Sequence, residues 1–449
     1  MDYFNNTRND RVSDTKTKIM LNKRNIFFNK KILIYGSGKS GISAYQFLKK
    51  KNKVYIYDDN KNIQNQNILS IYKKVIKTEF DYIIISPGID IDKCRLSKFL
   101  KKNLKKINTD LDVFFSFYNK NKNITITGTN GKSTTAKILY EILRNQKIDV
   151  RLVGNIGNPI LFEKNIKKQT VFVIEASSYQ LEYSKIFRSK YAVILNLSPD
   201  HIERHKTLSR YVKAKFKLLK NQNKDNFAFV NKNNFLIKKQ LKLNNYNSKI
   251  IKVNVRENNN FLKNIKNNYF STETNKENLL FVLKILKKLN ISNTILAKTV
   301  RKFNGLKYRQ QIILKRRNLT IINDSKSTSL SSSIGLLKTR NNIYWLLGGI
   351  HKKGDKFNLP KKYYNNIQAF IFGKDKKFFN EKLKGKINYK NFKNLKDALN
   401  EILIIFKKKE SIDKTILFSP CAASFDSFKN FEDRGLYFNK LVWKQLNGK

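Results

Sequence analysis

The chain has 449 residues, 40% of them apolar, with 92 lysines and arginines against 33 acids and a formal net charge of +59. That length leaves room for two to four domains with ample cores. Two cysteines, Cys94 and Cys421, exclude a disulfide framework and a cysteine zinc site, and no apolar run approaches the ~18 residues of a membrane-spanning helix. The lysine excess runs through the whole chain with asparagine and isoleucine, as at Asn60–Asn67, Lys98–Lys106 and Asn258–Asn260. It is gathered into no tail or helix face, so it reads as compositional drift and not as a nucleic-acid surface. Residues 1–30 are polar and lack a hydrophobic signal core, so a cytoplasmic protein with a loose 1–30 extension is expected.

From residue 31 a strand, a glycine turn and an amphipathic helix follow in KKILIYGSGKSGISAYQFLKK, then strands at 54–59 and 81–86. Strands alternating with helices predict a parallel α/β unit over 31–118. A second unit, 119–310, is expected to hold strands at 124–127, 171–175, 191–196, 227–230 and 249–254, with helices over 207–220 and 275–289. The asparagine-rich 255–270 reads as loop or edge strand. A third unit, 311–449, is expected to hold strands at 311–314, 319–323, 343–347, 368–372 and 415–418. The fold class is therefore three consecutive α/β domains, Rossmann-like at both ends with a phosphate-loop ATPase unit between.

ITITGTNGKSTT (124–135) is the most informative stretch. Strand, glycine loop and helix point backbone N–H groups and a helix N-terminus at a phosphate chain. Lys132 would reach the outer phosphates and the Ser133 hydroxyl would ligate Mg²⁺. The usual spacing wants glycine at 126, where this chain has Ile126, so the loop is a shortened variant. Gly36, Gly38 and Gly41 match G-x-G-x-x-G after a strand, with Asp58 about 20 residues on, a pattern that suits any nucleotide diphosphate. Ser86-Pro87-Gly88 should form a second loop on the same sheet edge. Glu175 ends a buried strand, where a carboxylate would hold Mg²⁺. Asp200, His201, Glu203 and His205 offer either a zinc cluster or, with more support, a second Mg²⁺ position. In the last unit, Asp324-Ser325-Lys326, Gly348-Gly349 with His351 and Lys352, and Ser419-Pro420 with Ser424 each follow a strand. Lysines and hydroxyls there suit a small carboxylate substrate.

Together these pieces resemble the Mur ligases, ATP-dependent amide-forming enzymes of peptidoglycan synthesis. TGTNGKSTT, EASSYQLE, and DHIERH followed by YVKAK resemble parts shared across that family. GSGKSGISA, SPGI, NDSKST and SPCAASFDSFKNFEDRG resemble its branch that joins D-glutamate to UDP-N-acetylmuramoyl-L-alanine; the likeness covers residues 31–449. It implies phosphorylation of the substrate carboxylate by ATP, attack by the D-glutamate amine on the acyl phosphate, and release of ADP and phosphate. Its implied partners are these small molecules alone, with no nucleic acid and no membrane, acting on a monomer.

The resemblance also implies roles. Gly128, Thr129, Asn130, Gly131, Lys132, Ser133 and Thr134 would hold the ATP phosphates, with Asn278, Arg309 and Asp324 around the rest of the nucleotide. Ser133, Glu175, His201 and Lys215 would serve a pair of Mg²⁺ ions, Lys215 as a carbamate. Lys132, His201 and Lys215 would be the catalytic set. Gly38, Ser40, Gly41, Asp58, Ser86, Pro87, Gly88, Asn155 and Gln180 would receive the UDP substrate. Lys326, Thr328, Lys352, Ser424 and Phe431 would receive D-glutamate. The chain departs from the family pattern at Thr274, Tyr308, Gln311 and Ser329, around the ATP or the domain joint. Three alternatives carry less: a sibling ligase for another amino acid, a basic nucleic-acid-binding NTPase, and a dehydrogenase resting on Gly36–Gly41 alone.

Overall fold

The computed structural model describes residues 25–60, 70–257, 260–316, 318–352, 354–407 and 413–446. Three sheets follow one another along the chain. The first contains β1 (Lys31–Tyr35), β2 (Lys53–Tyr57), β3 (Tyr82–Ile85) and β4 (Ile107–Asn108) in the order β2-β1-β3-β4, all parallel. The second contains β5 (Asn123–Thr127), β6 (Val150–Gly154), β7 (Val171–Glu175), β8 (Tyr191–Ile194), β9 (Phe227–Asn231) and β10 (Lys249–Val253), ordered β10-β9-β8-β5-β7-β6. The third contains β11 (Gln311–Arg316), β12 (Leu319–Asn323), β13 (Ile343–Gly348), β14 (Ile367–Phe372), β15 (Asn388–Asn391) and β16 (Lys414–Phe418), ordered β11-β12-β16-β13-β14-β15, with only β11 antiparallel.

Alternation along β1 decides which cores it serves. Leu33 and Tyr35 face a core whose buried members all come from the first domain, while Ile32 and Ile34 join one that continues into the central sheet through Phe114, Phe172, Ile174 and Ile194. The first two domains therefore share apolar packing, whereas the third fills its sheet faces with clusters of its own. The joint to the third domain is a short segment in which Gly305, Tyr308 and Gln310 all have positive φ (75°, 61° and 50°). For tyrosine and glutamine that conformation is sparsely populated, and contacts must hold it. Gln310 N donates to Asp324 Oδ1 at 3.0 Å, its side-chain oxygen accepts from Asn275 Nδ2 at 2.9 Å, and Lys326 N donates to Tyr308 O at 3.0 Å.

The elements depart from expectation in places. Residues 1–24 of the expected extension lie outside the described residues. Residues 25–30 belong to the fold, with Phe27 fully buried against Tyr82 and Asn25 Nδ2 donating to Ser116 O at 2.9 Å. The 255–270 stretch holds a short helix, Asn260–Lys263, and a 3-10 turn, Asn268–Ser271, and no strand among its described residues. Strands β4, β6 and β15 had no clear sequence signal; β15 (NYKN) is a polar edge strand and β4 has only two residues.

A buried carboxylate fastens the first two domains. Asp112, fully buried, accepts at Oδ1 from Ser184 Oγ and from the amides of Lys185, Ile186 and Phe187, and at Oδ2 from Thr109 N, all at 2.9–3.0 Å. Its removal strands several amides, each at ~1–3 kcal/mol. Asp112→Ala is expected to destabilise the joined domains by about 3–5 kcal/mol in urea unfolding; a loss under ~1 kcal/mol would contradict this fastening role.

Candidate active site

β5 runs into the glycine loop, and the Lys132–Asn145 helix leaves it. Gly131 has φ +83°, and a Cβ there would lie 2.1 Å from Asn278 Oδ1, so only glycine fits. The loop is braced from β8: Thr129 N donates to Asn196 O (2.9 Å) and Asn130 N to Asn196 Oδ1 (2.8 Å). Lys132 Nζ folds back onto Gly128 O and Thr129 O at 2.9 and 2.8 Å. Desolvation lowers its proton affinity, opposed by Glu175 and Asp200. Parallel pairing sets Ile126 opposite Glu175, which puts the carboxylate beside the loop. Glu175 Oε1 accepts from Asn155 Nδ2 at 2.9 Å, while Oε2 is buried with no partner.

Lys215, 2% exposed, reaches the same point from the Leu208–Lys220 helix and donates to Gly128 O (2.9 Å) and Thr127 Oγ1 (3.2 Å). Burial holds its proton affinity well below that of an ordinary lysine, and Lys132 adds to the effect. Lys213 and Lys217, indistinguishable from it by spacing, are placed elsewhere: Lys213 is exposed, and Lys217 bonds Glu182 O. His201 has φ +54°, and its ring lies beside Asp200 (3.4 Å) and Glu203 (3.6 Å). Desolvation lowers its proton affinity, with Asp200 opposing.

The opposite wall comes from the third sheet. Its order places the ends of β12, β16 and β13 side by side, which brings together three loops far apart in sequence. Lys326 Nζ lies 4.0 Å from the centre of the Phe431 ring, and Arg309 stands 5.7 Å from the same ring. Burial and Arg309 hold the Lys326 amine at about 8. Lys352 crosses the cleft to Asp200 Oδ1 at 2.7 Å, tying the third domain to the central one. Both walls and Pro87 enclose one cavity of ≈ 460 Å³. Thr129 to Ser133, Asn155, Glu175, His201 and Lys215 line it on one side, and Arg309, Lys326, Thr328, Lys352, Ser424 and Phe431 on the other.

Other expected site residues lie outside that cavity lining, several with their polar atoms committed. Gly128 and Thr134 sit behind the loop, where Gly128 O takes the two lysines and Thr134 Oγ1 meets Tyr269 OH at 3.3 Å. Asn278 is buried against Gly131 with Nδ2 unpartnered. Asp324 turns into the joint, bonding Gln310 N and Ser419 Oγ (2.9 Å), and burial raises its carboxyl to about 7. Those bonds brace the joint between the second and third domains. Gly41 likewise packs: a Cβ there would lie 1.7 Å from Gly36 O. Ser86 Oγ donates to Gly36 O at 3.0 Å, and Asp58 Oδ2 accepts from Ser37 N at 2.6 Å. Gly38 and Gly88 are exposed on their turns, and of that second loop Pro87 alone reaches the cavity. Ser40 and Gln180 both donate to Asp110 Oδ2, at 2.5 and 3.5 Å.

The donor set fits an oxygen-loving cation and a phosphate chain. Glu175 Oε2 is a buried acceptor without a partner in the cavity that Ser133 also lines, and Asn278 Nδ2 is a buried donor without one beside Gly131. The zinc arrangement finds no such fit: His205 is not among the cavity-lining residues and its Nε2 meets Ser178 Oγ at 2.9 Å, and the described residues gather no group of three His, Cys, Asp or Glu placed to hold a metal.

Sequence reasoning passed over several residues that shape the site. Asp355 accepts from Leu330 N at the start of the helix after Thr328. Arg434, 1% exposed, donates to Ser325 O (2.7 Å), Ser325 Oγ (3.1 Å) and Ala422 O (3.0 Å), which fixes the two loops that carry Lys326 and Ser424. Tyr211 bonds Thr129 Oγ1 at 2.9 Å. Arg434 lies inside the quoted 419–435 segment, but only the fold shows that it points inward.

Residues 126–300 match the Mur ligase middle domain. The chain is 33% identical over 447 residues to the UDP-N-acetylmuramoylalanine–D-glutamate ligase of Rickettsia prowazekii (strain Madrid E), covering 93% of this chain and 98% of the relative. It is 36% identical over 461 residues to the enzyme of that name from Buchnera aphidicola subsp. Schizaphis graminum (strain Sg), covering 94% and 99%. Among solved structures it resembles the UDP-N-acetylmuramate-alanine ligase of Thermotoga maritima, with a TM-score of 0.56 at 17% identity over 94% of this chain and 100% of the other. It also resembles MurF ligase from Thermotoga maritima in complex with ADP, with a TM-score of 0.52 at 13% identity over 93% and 99%.

Proposed function

The chain belongs to the Mur ligase family, and from that premise we propose that it joins D-glutamate to UDP-N-acetylmuramoyl-L-alanine with consumption of ATP, a step of peptidoglycan precursor synthesis. The observation that carries this reading is the single cavity between a phosphate loop and a wall of lysines, hydroxyls and Phe431. The full-length similarity to D-glutamate ligases selects the amino acid.

The L-alanine carboxylate attacks the γ-phosphorus of ATP, and ADP leaves. The D-glutamate amine then attacks the acyl carbon, loses a proton, and phosphate departs as the amide forms. Lys132 is the cation for the transferred phosphoryl oxygens; to act it must swing off Gly128 O and Thr129 O toward them. Ser133, Glu175 and His201 would hold Mg²⁺, which supplies charge neutralisation at the phosphates. Lys215 would act there as a carbamate. Lys326, Lys352, Thr328 and Ser424 would grip the carboxylates of D-glutamate, so substrate would compete with Asp200 for Lys352. Closing the walls over the acyl phosphate excludes water, the competing nucleophile.

ADP release, assayed with each substrate omitted in turn, tests the reading. Release is expected only with ATP, UDP-N-acetylmuramoyl-L-alanine and D-glutamate together. Turnover with L-alanine or L-glutamate in place of D-glutamate would reassign it to a sibling ligase. Stimulation by DNA or RNA would favour the nucleic-acid NTPase.

A further inference from the structure

Ser40 stands on the rim of the glycine turn, next to exposed Gly38 and Lys39, while its hydroxyl points inward to Asp110. Asp110 is 4% exposed, at the start of the Asp110–Tyr118 helix. The groups that face it are Ser40 from the Lys39–Leu48 helix, Gln180 from the Ser178–Tyr183 helix, and Leu111 N (3.0 Å) and Asp112 from its own helix. None is a cation, and Asp110 forms no ion pair among the described residues.

A hydroxyl has one proton to give. Here it goes to Asp110 Oδ2. That leaves only lone pairs of Ser40 for a group arriving at the turn, and a diphosphate also presents only acceptors. If Asp110 is protonated the bond reverses: the acid O–H donates to Ser40 Oγ, and the Ser40 hydroxyl is free to donate to a phosphate oxygen.

We propose that Asp110 is a positioning residue of the UDP-substrate site, which takes one proton from solvent when the diphosphate binds and thereby turns Ser40 from acceptor to donor. This rests on the ligase reading above, in which the Gly36–Gly41 turn receives the diphosphate. Burial raises the proton affinity of Asp110 and Asp112 adds to it, while Ser40, Gln180 and Leu111 N oppose. The sign is fixed: a ligand that prefers the protonated site binds more weakly as pH rises.

Calorimetric titration of the full chain with UDP-N-acetylmuramoyl-L-alanine, in two buffers of different ionisation heat, tests this. Wild type should take up a proton fraction that approaches about one on the alkaline side, where its affinity falls by up to about tenfold per pH unit. Asp110→Asn, whose amide can donate to Ser40 permanently, should show no such uptake and a flat affinity. Ser40→Ala keeps Asp110 in place, should lose the uptake too, and supplies the comparison if the asparagine variant does not fold. Equal uptake in wild type and both variants would overturn the proposal. No binding by wild type would instead overturn the ligase reading on which it stands.

Discussion

Lys132→Ala is expected to reduce ligation by at least ~10³-fold in kcat, the scale for loss of a charged group that stabilises a transition state. Its ammonium is the cation of the phosphate loop itself, two residues from Asn130 and beside Ser133, and neither wall replaces it: Arg309 and Lys326 are engaged with the Phe431 ring. Stability should not suffer. Lys132 forms no ion pair with a carboxylate among the described residues, and desolvation already disfavours its charge. Removing it relieves that cost and frees Gly128 O and Thr129 O, one of which Lys215 also serves. Single-turnover ADP formation together with urea unfolding measures both quantities. Activity within tenfold of wild type, with the fold intact, would remove Lys132 from phosphoryl transfer.

Lys215→Ala is expected to be similarly inactive, and partly rescued by a short carboxylic acid such as acetate. An amine must be unprotonated to attack CO₂; nitrogen bonds carbon, and an N–H proton leaves to water. Burial and the charge of Lys132 favour the neutral amine at Lys215, so its environment prepares it for that reaction. A carbamate there would place an anionic oxygen pair near Lys132 and Glu175, where an ammonium would repel Mg²⁺. A carboxylic acid diffusing into the space left by alanine supplies the same oxygens. If Lys215→Ala matches wild type in CO₂-depleted buffer, the carbamate assignment is lost; if wild type itself is indifferent to CO₂, Lys215 serves as an amine.

Much of the fold was legible because it rests on local pattern. The apolar runs KILIY, NITIT, VFVIE and IYWLL are buried parallel strands, and each is followed by the small residues of a strand-end loop. What went unread lacks such a pattern: the polar edge strand β15, the two-residue β4 and the turn at Asn268–Ser271 are held by neighbours in space. Within the site, Glu175 could be found from its place at the end of a buried strand. Lys215 could not be told from Lys213 and Lys217 by any local feature, since only helix phase against the β5 loop selects it.

The sequence by itself determined the chemistry on offer: a glycine loop with Lys132 and Ser133 at a helix start, a second glycine turn at Gly36–Gly41, and hydroxyls and lysines after three late strands. These are short-range patterns, fixed by spacing along a strand, a turn and a helix start. Tertiary structure decided which of those groups meet and which are spent. Sheet order set β12, β16 and β13 adjacent, and the fold of the third domain against the second brought Lys352 to Asp200. It also turned Asp324, Gly41 and Ser86 inward as braces, because buried polar atoms and close backbone contacts must be satisfied before any ligand is.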